Sequence, residues 1–169
     1  MTTTYVVSSE GVTFTNIDTT TLNGAIETID TGPVGNYVID ISGNISLTTE
    51  LLAINLPTGS TLTINGANGS GGTYSLDGGG TQWGLFVYAG TVAIDNLAID
   101  NMLAEGGSGG GAFGGGAYGG GGGGAGLGGG LFVGANVASD VGSVTLTDVT
   151  FAHDEAVGGS GEEASESKG

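Results

Sequence analysis

Two stretches of the chain follow one pattern: GLFVYAGTVAIDNLAIDNMLAEGG at residues 84–107 and GLFVGANVASDVGSVTLTDVTFAHDEAVGG at residues 130–159. Both begin with Gly-Leu-Phe-Val and end with Gly-Gly, and they align at a constant offset of 52 residues from Val92, which matches Val144. The other matched pairs are Ile94 with Leu146, Asn96 with Asp148, Leu97 with Val149, Ile99 with Phe151, and Ala104 with Ala156. Because a short unit cannot bury its own apolar side chains, such copies must stack on each other.

Residues 106–130, between the two copies, are mostly glycine. A linker separates unlike segments, so a tract between like segments is interpreted as an insertion within one repetitive fold. Glycine reaches backbone conformations that other residues do not, and the tract is therefore either a mobile loop or a set of closely packed extended runs. Its sizeable side chains, Phe113, Tyr118 and Leu127, are candidate anchors that hold the loop to the sheets or dock into another chain.

Short alternations of apolar and polar residues, bounded by Gly, Asn, Asp and Thr, predict half-buried strands throughout the rest of the chain. The segments are YVIDISGNISL, STLTINGA, TYSLDG, GLFVYAG, TVAIDNLAID and SVTLTDVTF. One helix is predicted in TLNGAIETID (21–30), where apolar residues fall at helical spacing although Gly24 weakens the propensity. Asn96, Asn101 and Asp148 are expected at corners, because Asn and Asp tolerate left-handed backbone conformations.

The chain also contains three successive phrases: ISGNISLTTELLAINLPTGSTLTINGANG, YSLDGGGTQWGLFVYAGTVAIDNLAIDN and GGGLFV followed by GSVTLTDVTFAHDEAVGG. With a glycine-rich tract before a GGxL opening, they resemble the N-terminal part of large secreted bacterial parallel β-helix proteins, the group of adhesins, autotransporter passengers and polymorphic surface proteins. The resemblance covers roughly residues 36–159, and His153 and Asp154 stand where that group usually has asparagine. It implies a secreted or cell-surface protein.

These observations together predict an all-β fold: a right-handed parallel β-helix, or solenoid, with a short N-terminal capping helix and a glycine-rich loop insertion. A length of 169 residues fits a single domain over 1–169. Within it we expect an N-terminal cap at 1–35, the first coils at 36–105, the insertion at 106–130, a last coil at 131–159 and an acidic tail at 160–169.

The charge balance narrows the classes of partner. Seventeen acidic residues face one base, Lys168, which gives a formal net charge of -16. Nucleic acid and phosphorylated cofactors need cationic side chains, and anionic membranes would repel the chain. The chain has no cysteine and no apolar run of transmembrane length, so we expect neither disulfides nor membrane insertion.

Few residues could carry chemistry. The acidic residues Asp77, Asp95 and Asp100 are the candidates for acid and base roles in a polysaccharide hydrolase. Residues 95 and 100 would face opposite sides of one regular strand, so corner and solvent positions explain them better, and no catalytic residue is assigned. His153 is interpreted as a solvated corner residue. Asp148, Asp154 and Glu155 are close in sequence and are candidate calcium ligands, because hard cations take clustered oxygen ligands. No other cofactor is expected.

The sequence therefore favours a non-catalytic structural or adhesive module that self-associates into larger assemblies or fibres, through its ends or through the glycine loop. The alternative is a carbohydrate-binding or carbohydrate-active protein, with Trp83 and Tyr88 as a sugar-stacking platform for host-surface or matrix carbohydrate. A third possibility is an ice-binding surface built on the TxT pairs of TLTIN and VTLTDVT, although these pairs do not form a long regular array.

Overall fold

A computed structural model describes residues 1–11, 18–111, 120–137 and 140–162. Their first part contains β1 (Thr2–Val7), α1 (Leu22–Asp30), β2 (Asn36–Ile41), β3 (Ile45–Ser46), β4 (Ile54–Asn55), β5 (Thr61–Asn65) and β6 (Tyr74–Asp77). The remaining strands are β7 (Leu85–Asp95), β8 (Leu97–Asp100), β9 (Leu103–Glu105), β10 (Leu131–Val133), β11 (Ala135–Val137), β12 (Asp140–Thr147), β13 (Thr150–Ala152) and β14 (Glu155–Val157). Each predicted strand segment contains a strand, and the predicted helix is confirmed.

The predicted fold class, a single right-handed parallel β-helix, is wrong. The described strands divide among three sheets of eight, four and two strands, and one helix packs against the largest, in an α/β-like arrangement of mainly parallel sheets. The order β1-β2-β5-β7-β12-β11 ends in an antiparallel pair, and β4 and β10 join β7 outside that order. Separate sheets arise because the backbone turns sharply between consecutive strands.

The predicted repeat at an offset of 52 residues is confirmed by the strand pairing. Strand β12 pairs in parallel with β7, with Val144 opposite Val92 and Leu146 opposite Ile94. Strands β13 and β14 pair with β8 and β9 at the same offset. The two copies are thus hydrogen-bonded neighbours along three consecutive strands, which is why their apolar pattern agrees.

Three corners bend the chain along the stretch from β7 to β9, the first of them within β7 itself. They lie at Gly90, with φ of 98°, at Asn96, with φ of 53°, and at Asn101, with φ of 54°. Asp148 and His153 repeat the last two corners with φ of 53° and 55°. The predicted corner roles of Asn96, Asn101 and Asp148 are therefore confirmed, because short polar side chains tolerate the left-handed region.

Each corner adds one residue to the strand alternation. Buried positions therefore run in pairs or triplets separated by three residues, as at Ile94 and Leu97 or at Ile99 and Met102. The prediction that Asp95 and Asp100 face opposite sides of one regular strand is therefore wrong, because a corner separates them and both are half-buried positions at the ends of β7 and β8.

The N-terminal end of the core is closed by α1, which contacts β1, β2 and β4. The helix buries Leu22, Ala25, Ile26 and Ile29 completely. Gly24 is required because a Cβ atom there would lie 2.1 Å from the carbonyl oxygen of Asp18. Strand β1, which the sequence did not predict, pairs with β2 and buries Val7 under the helix end of the sheet.

A buried carboxylate fastens this end. Glu10 is only 5% exposed, and its two oxygens accept four hydrogen bonds of 2.6–2.8 Å from the backbone N–H and hydroxyl groups of Thr48 and Thr49. Burial raises the pKa of Glu10, but the four donors outweigh it and hold the pKa below its ordinary value. The carboxylate therefore joins the segment after β1 to the turn after β3.

The described parts of the glycine tract are closely packed. Segments 106–111, 120–130 and 157–162 are joined by backbone hydrogen bonds whose donors recur every three residues, the repeat of a polyproline II helix. The bonds run from Gly106 to Val157, Gly109 to Ser160, Gly121 to Gly110, Gly124 to Gly107, Gly159 to Gly124 and Glu162 to Gly121. Of the two interpretations of the tract, closely packed extended runs therefore hold for these segments.

Gly126→Ala is expected to lower the free energy of unfolding by about 1–3 kcal/mol, because the new Cβ would lie 2.2 Å from the Val157 carbonyl oxygen and 2.5 Å from that of Ala104. Gly122→Ala is the matched control, since nothing lies within 4 Å of its added Cβ. Denaturant titration of both variants measures the difference. Equal stability of the two variants would contradict the packed arrangement.

Asp30, the last residue of α1, is expected to make stability depend on pH. Burial raises its pKa to about 6 from the ordinary 3.8, against a hydrogen bond that its Oδ2 accepts from the Asn55 N–H at 2.9 Å. The folded protein holds this proton between about pH 4 and pH 6 while the unfolded chain does not, so stability falls as pH rises through that window.

Asp30→Asn should remove that fall, about 1–2 kcal/mol after discounting for solvent screening. The measurement is the free energy of unfolding of variant and parent at about pH 4.5 and about pH 7. Asp95→Asn, which removes an outward carboxylate elsewhere, is the control for the change in net charge. If the parent and Asp30→Asn show the same pH dependence, burial of this carboxylate is not what drives it.

Candidate functional site

The last strand of each sheet in chain order is β12, β13 or β14, and these strands follow one another through the corners at Asp148 and His153. Residues 143–157 are named here the C-terminal edge. From Ser143 onward, strands β12, β13 and β14 each pair with an earlier strand on one side and have no partner on the other. Strand β11 pairs with only the start of β12. No other described strand pairs with their outer side. Unpaired N–H and C=O groups on strand edges are templates for pairing with another chain.

Apolar side chains that the repeat buries in one copy are exposed in the other. Ile94 is fully buried, whereas its partner Leu146 is 44% exposed. Ile99 is fully buried, whereas its partner Phe151 is 41% exposed. Apolar residues at these matched positions differ in burial because the second copy stacks over the first, while the described residues offer no strand layer over the second.

A charged corner lies beside this edge. The His153 Nδ1 atom is 2.7 Å from the Asp100 Oδ1 atom, and the imidazole is largely exposed. Asp100 raises the pKa of His153, first by the hydrogen bond and then by its charge, with a further contribution from the charge of Asp154. His153 is thus a corner residue, as expected, and also one half of an ion pair between the two copies.

Asp154 faces the core, in the position that matches Met102 of the first copy. Its Oδ1 accepts a hydrogen bond of 2.9 Å from the Met102 N–H, and its buried Oδ2 has no partner among the described residues. Burial raises the pKa of Asp154 above its ordinary value. An acid at this inward position reduces the apolar character of the edge locally.

The three candidate calcium ligands have different surroundings. Asp148 is an exposed corner residue, Asp154 is directed at the Met102 N–H, and Glu155 is exposed on β14. Within the described ranges, the structure shows no cluster of three or more His, Asp or Glu side chains arranged to hold a metal ion. Calcium binding at these residues stays a prediction.

Two of the three carboxylates considered for catalysis are hydrogen-bonded at corners. Asp77 and Asp100 are register partners on β6 and β8, and Asp95 lies on β7. The Asp77 Oδ1 atom accepts hydrogen bonds from the Asn101 side chain and from the Gly79 N–H. Asp100 is occupied by His153. These contacts stabilise turns.

The structure brings two of the predicted interaction residues together. Trp83 and Leu127 line one apolar pocket, with 38% and 58% of their surfaces exposed. Tyr88 lies outside that pocket and packs edge-on against Phe86, with ring centroids 5.7 Å apart. Phe113 and Tyr118 fall outside the described residues. Sequence reasoning missed Phe86 and Phe132 as pocket residues, although both belong to the repeated GLFV motif.

Comparison with family models, curated proteins and solved structures found no match for this chain. Among the residues that the structure describes, no helix has the length and apolar character needed to span a membrane. The site is therefore interpreted from its own geometry.

His153 is expected to titrate above the ordinary imidazole value of 6.5, and Asp100→Asn should lower its pKa toward that value. In the parent chain the ion pair is present below the His153 pKa, where the imidazole is protonated, and it is lost as pH rises through that pKa. Because the chain has one histidine, NMR of the imidazole Cε1–H resonance reports it directly. Asp95→Asn is the control, and an unchanged His153 pKa in Asp100→Asn would contradict the pairing.

Proposed function

We propose that the protein is a non-catalytic structural module that self-associates through its C-terminal edge. The observation that supports this most is the contrast between matched apolar positions, buried in the first copy of the repeat and more than 40% exposed at Leu146 and Phe151 in the second. Exposed apolar surface next to unpaired strand edges is typical of an association surface. A second copy of the chain is the proposed occupant.

The geometry favours a closed dimer. At the opposite end, α1 covers the core and Val7 is fully buried, so the core side chains are covered there, while β1 pairs with β2 alone among the described strands. Two identical surfaces meet about a twofold axis, and each strand edge then completes the other. Growth into fibres needs two different complementary ends, and the exposed residues of β1 at the other end are mainly threonine rather than apolar. The fibre that the sequence suggested is therefore replaced in the proposal by a twofold dimer.

Charge modulates this contact. The chain carries a formal net charge of -16, and Asp148 and Glu155 are exposed on the edge itself. Two such surfaces repel each other at low ionic strength, and salt screens that repulsion. The proposal therefore includes tighter association as salt rises. A secreted or cell-surface location stays a prediction from the resemblance.

The double change Leu146→Thr and Phe151→Thr tests the contact. Threonine keeps the strand preference while it removes apolar surface, so the dimer dissociation constant should rise at least about tenfold. The measurement is sedimentation over a concentration series at low and high salt. Val34→Thr is the control, because Val34 is 64% exposed and lies between α1 and β2, away from the edge.

Three results would contradict the proposal. A parent chain that stays monomeric at every concentration and salt level would remove self-association. Growth beyond a dimer would remove the closed twofold arrangement. An equal effect of Val34→Thr and of the edge variant would show that the C-terminal edge is not the contact.

A further inference from the structure

A pocket of about 290 Å³ opens beside β7, where the glycine segment that packs against β14 forms part of its rim. Its lining is apolar and aromatic with one exception, a carboxylate. The residues that define it are Trp83, Phe86, Ala104, Glu105, Leu127 and Phe132. A ligand that fits this pocket would combine apolar surface for the wall with a positive charge for the carboxylate.

The repeat itself builds the aromatic wall. Phe86 on β7 and Phe132 on β10 are register partners, with ring centroids 5.1 Å apart and ring planes at 65°. Trp83 precedes β7, and its indole N–H donates a long hydrogen bond of 3.4 Å to the Leu51 carbonyl, which orients the nitrogen side of the ring toward the protein. The aromatic side chains therefore offer a preformed surface.

The glycine tract and β9 complete the pocket. Leu127 lies between Gly126, which packs against backbone carbonyls, and Gly128, whose φ of 60° turns the chain toward β10. Glu105 is the last residue of β9 and is exposed. The tract therefore places an apolar side chain opposite Trp83, and β9 supplies the carboxylate at the same opening.

We propose that this pocket binds an alkylammonium group, such as an amine-bearing side chain or a small amine. The methylene chain would lie against Leu127 and the aromatic rings, and the ammonium would be attracted both by the Glu105 carboxylate and by the faces of the aromatic rings. The net charge of -16 raises the local concentration of cations and repels anions. A cation that is also apolar suits every part of the lining.

A sugar fits the same lining less well. Sugar rings stack on aromatic faces, but their hydroxyl groups require several polar partners, and Glu105 is the one polar side chain among the residues that line this pocket. The carbohydrate alternative that the sequence raised for Trp83 is therefore a competing outcome of the test.

The indole N–H resonance of Trp83 reports binding directly, because the chain has one tryptophan. We expect n-butylammonium to shift this resonance in NMR spectra with saturation, and n-butanol, its uncharged counterpart, to bind at least about tenfold more weakly. Sodium chloride at matched ionic strength corrects for salt. Glu105→Gln should weaken n-butylammonium binding about two- to fivefold, the range of an exposed ion pair, and leave n-butanol binding unchanged.

Glu27→Gln on α1 is the matched control, because it removes one negative charge as Glu105→Gln does. It should leave the affinity for n-butylammonium close to that of the parent chain. Equal binding of n-butanol and n-butylammonium, or equal loss in Glu27→Gln and Glu105→Gln, would overturn a specific ammonium site. Saturable binding of methyl β-D-glucoside in the absence of n-butylammonium binding would assign the pocket to carbohydrate instead. Failure of the ammonium site is distinguished from failure of the dimer by the readout, since the Trp83 resonance reports the pocket and sedimentation reports association, and the edge variants replace none of the residues that line the pocket.

Discussion

Parallel pairing along β7 is the interaction on which the rest of the structure depends. This strand bonds to β5 on one side and to β12 on the other, and its first half also receives β4 and β10. Because parallel pairing places like positions next to each other, the Leu and Ile residues of successive strands form continuous buried columns. The pairing also brings Phe132 onto Phe86, and so it creates the aromatic pocket as a by-product of the repeat.

The second constraint on the fold is the lack of side chains in the glycine tract, which lets backbone segments lie against each other. In the glycine segments, backbone approaches backbone so closely that an added Cβ atom at Gly123 would lie 1.8 Å from the Gly159 carbonyl oxygen. Hydrogen bonds at every third residue satisfy backbone groups of these segments without β-strand pairing. This packing attaches the tract to β14 and supports Leu127. A composition that indicates flexibility in isolation therefore gives a defined arrangement here.

The candidate site follows from where the stacking stops. The first copy of the repeat is covered by the second, and the second has no cover within the described ranges. Burial at a given position is thus a property of its layer and not of its residue type, as Ile94 and Leu146 show. The ion pair of Asp100 with His153 and the inward Asp154 place charged groups among the apolar side chains of this edge.

The sequence by itself determined the strand segments, the helix at Leu22–Asp30, the corners at Asn96, Asn101 and Asp148, and the match of the two copies. These features depend on local alternation, on backbone preferences of single residues and on a periodicity that is visible along the chain. The tertiary structure decided the division into three sheets, the closure of the N-terminal end by Glu10 and α1, and the exposure of Leu146 and Phe151. It also brought Trp83, Leu127 and Phe132 together. All of these depend on contacts between residues far apart in sequence, whose packing no local pattern records.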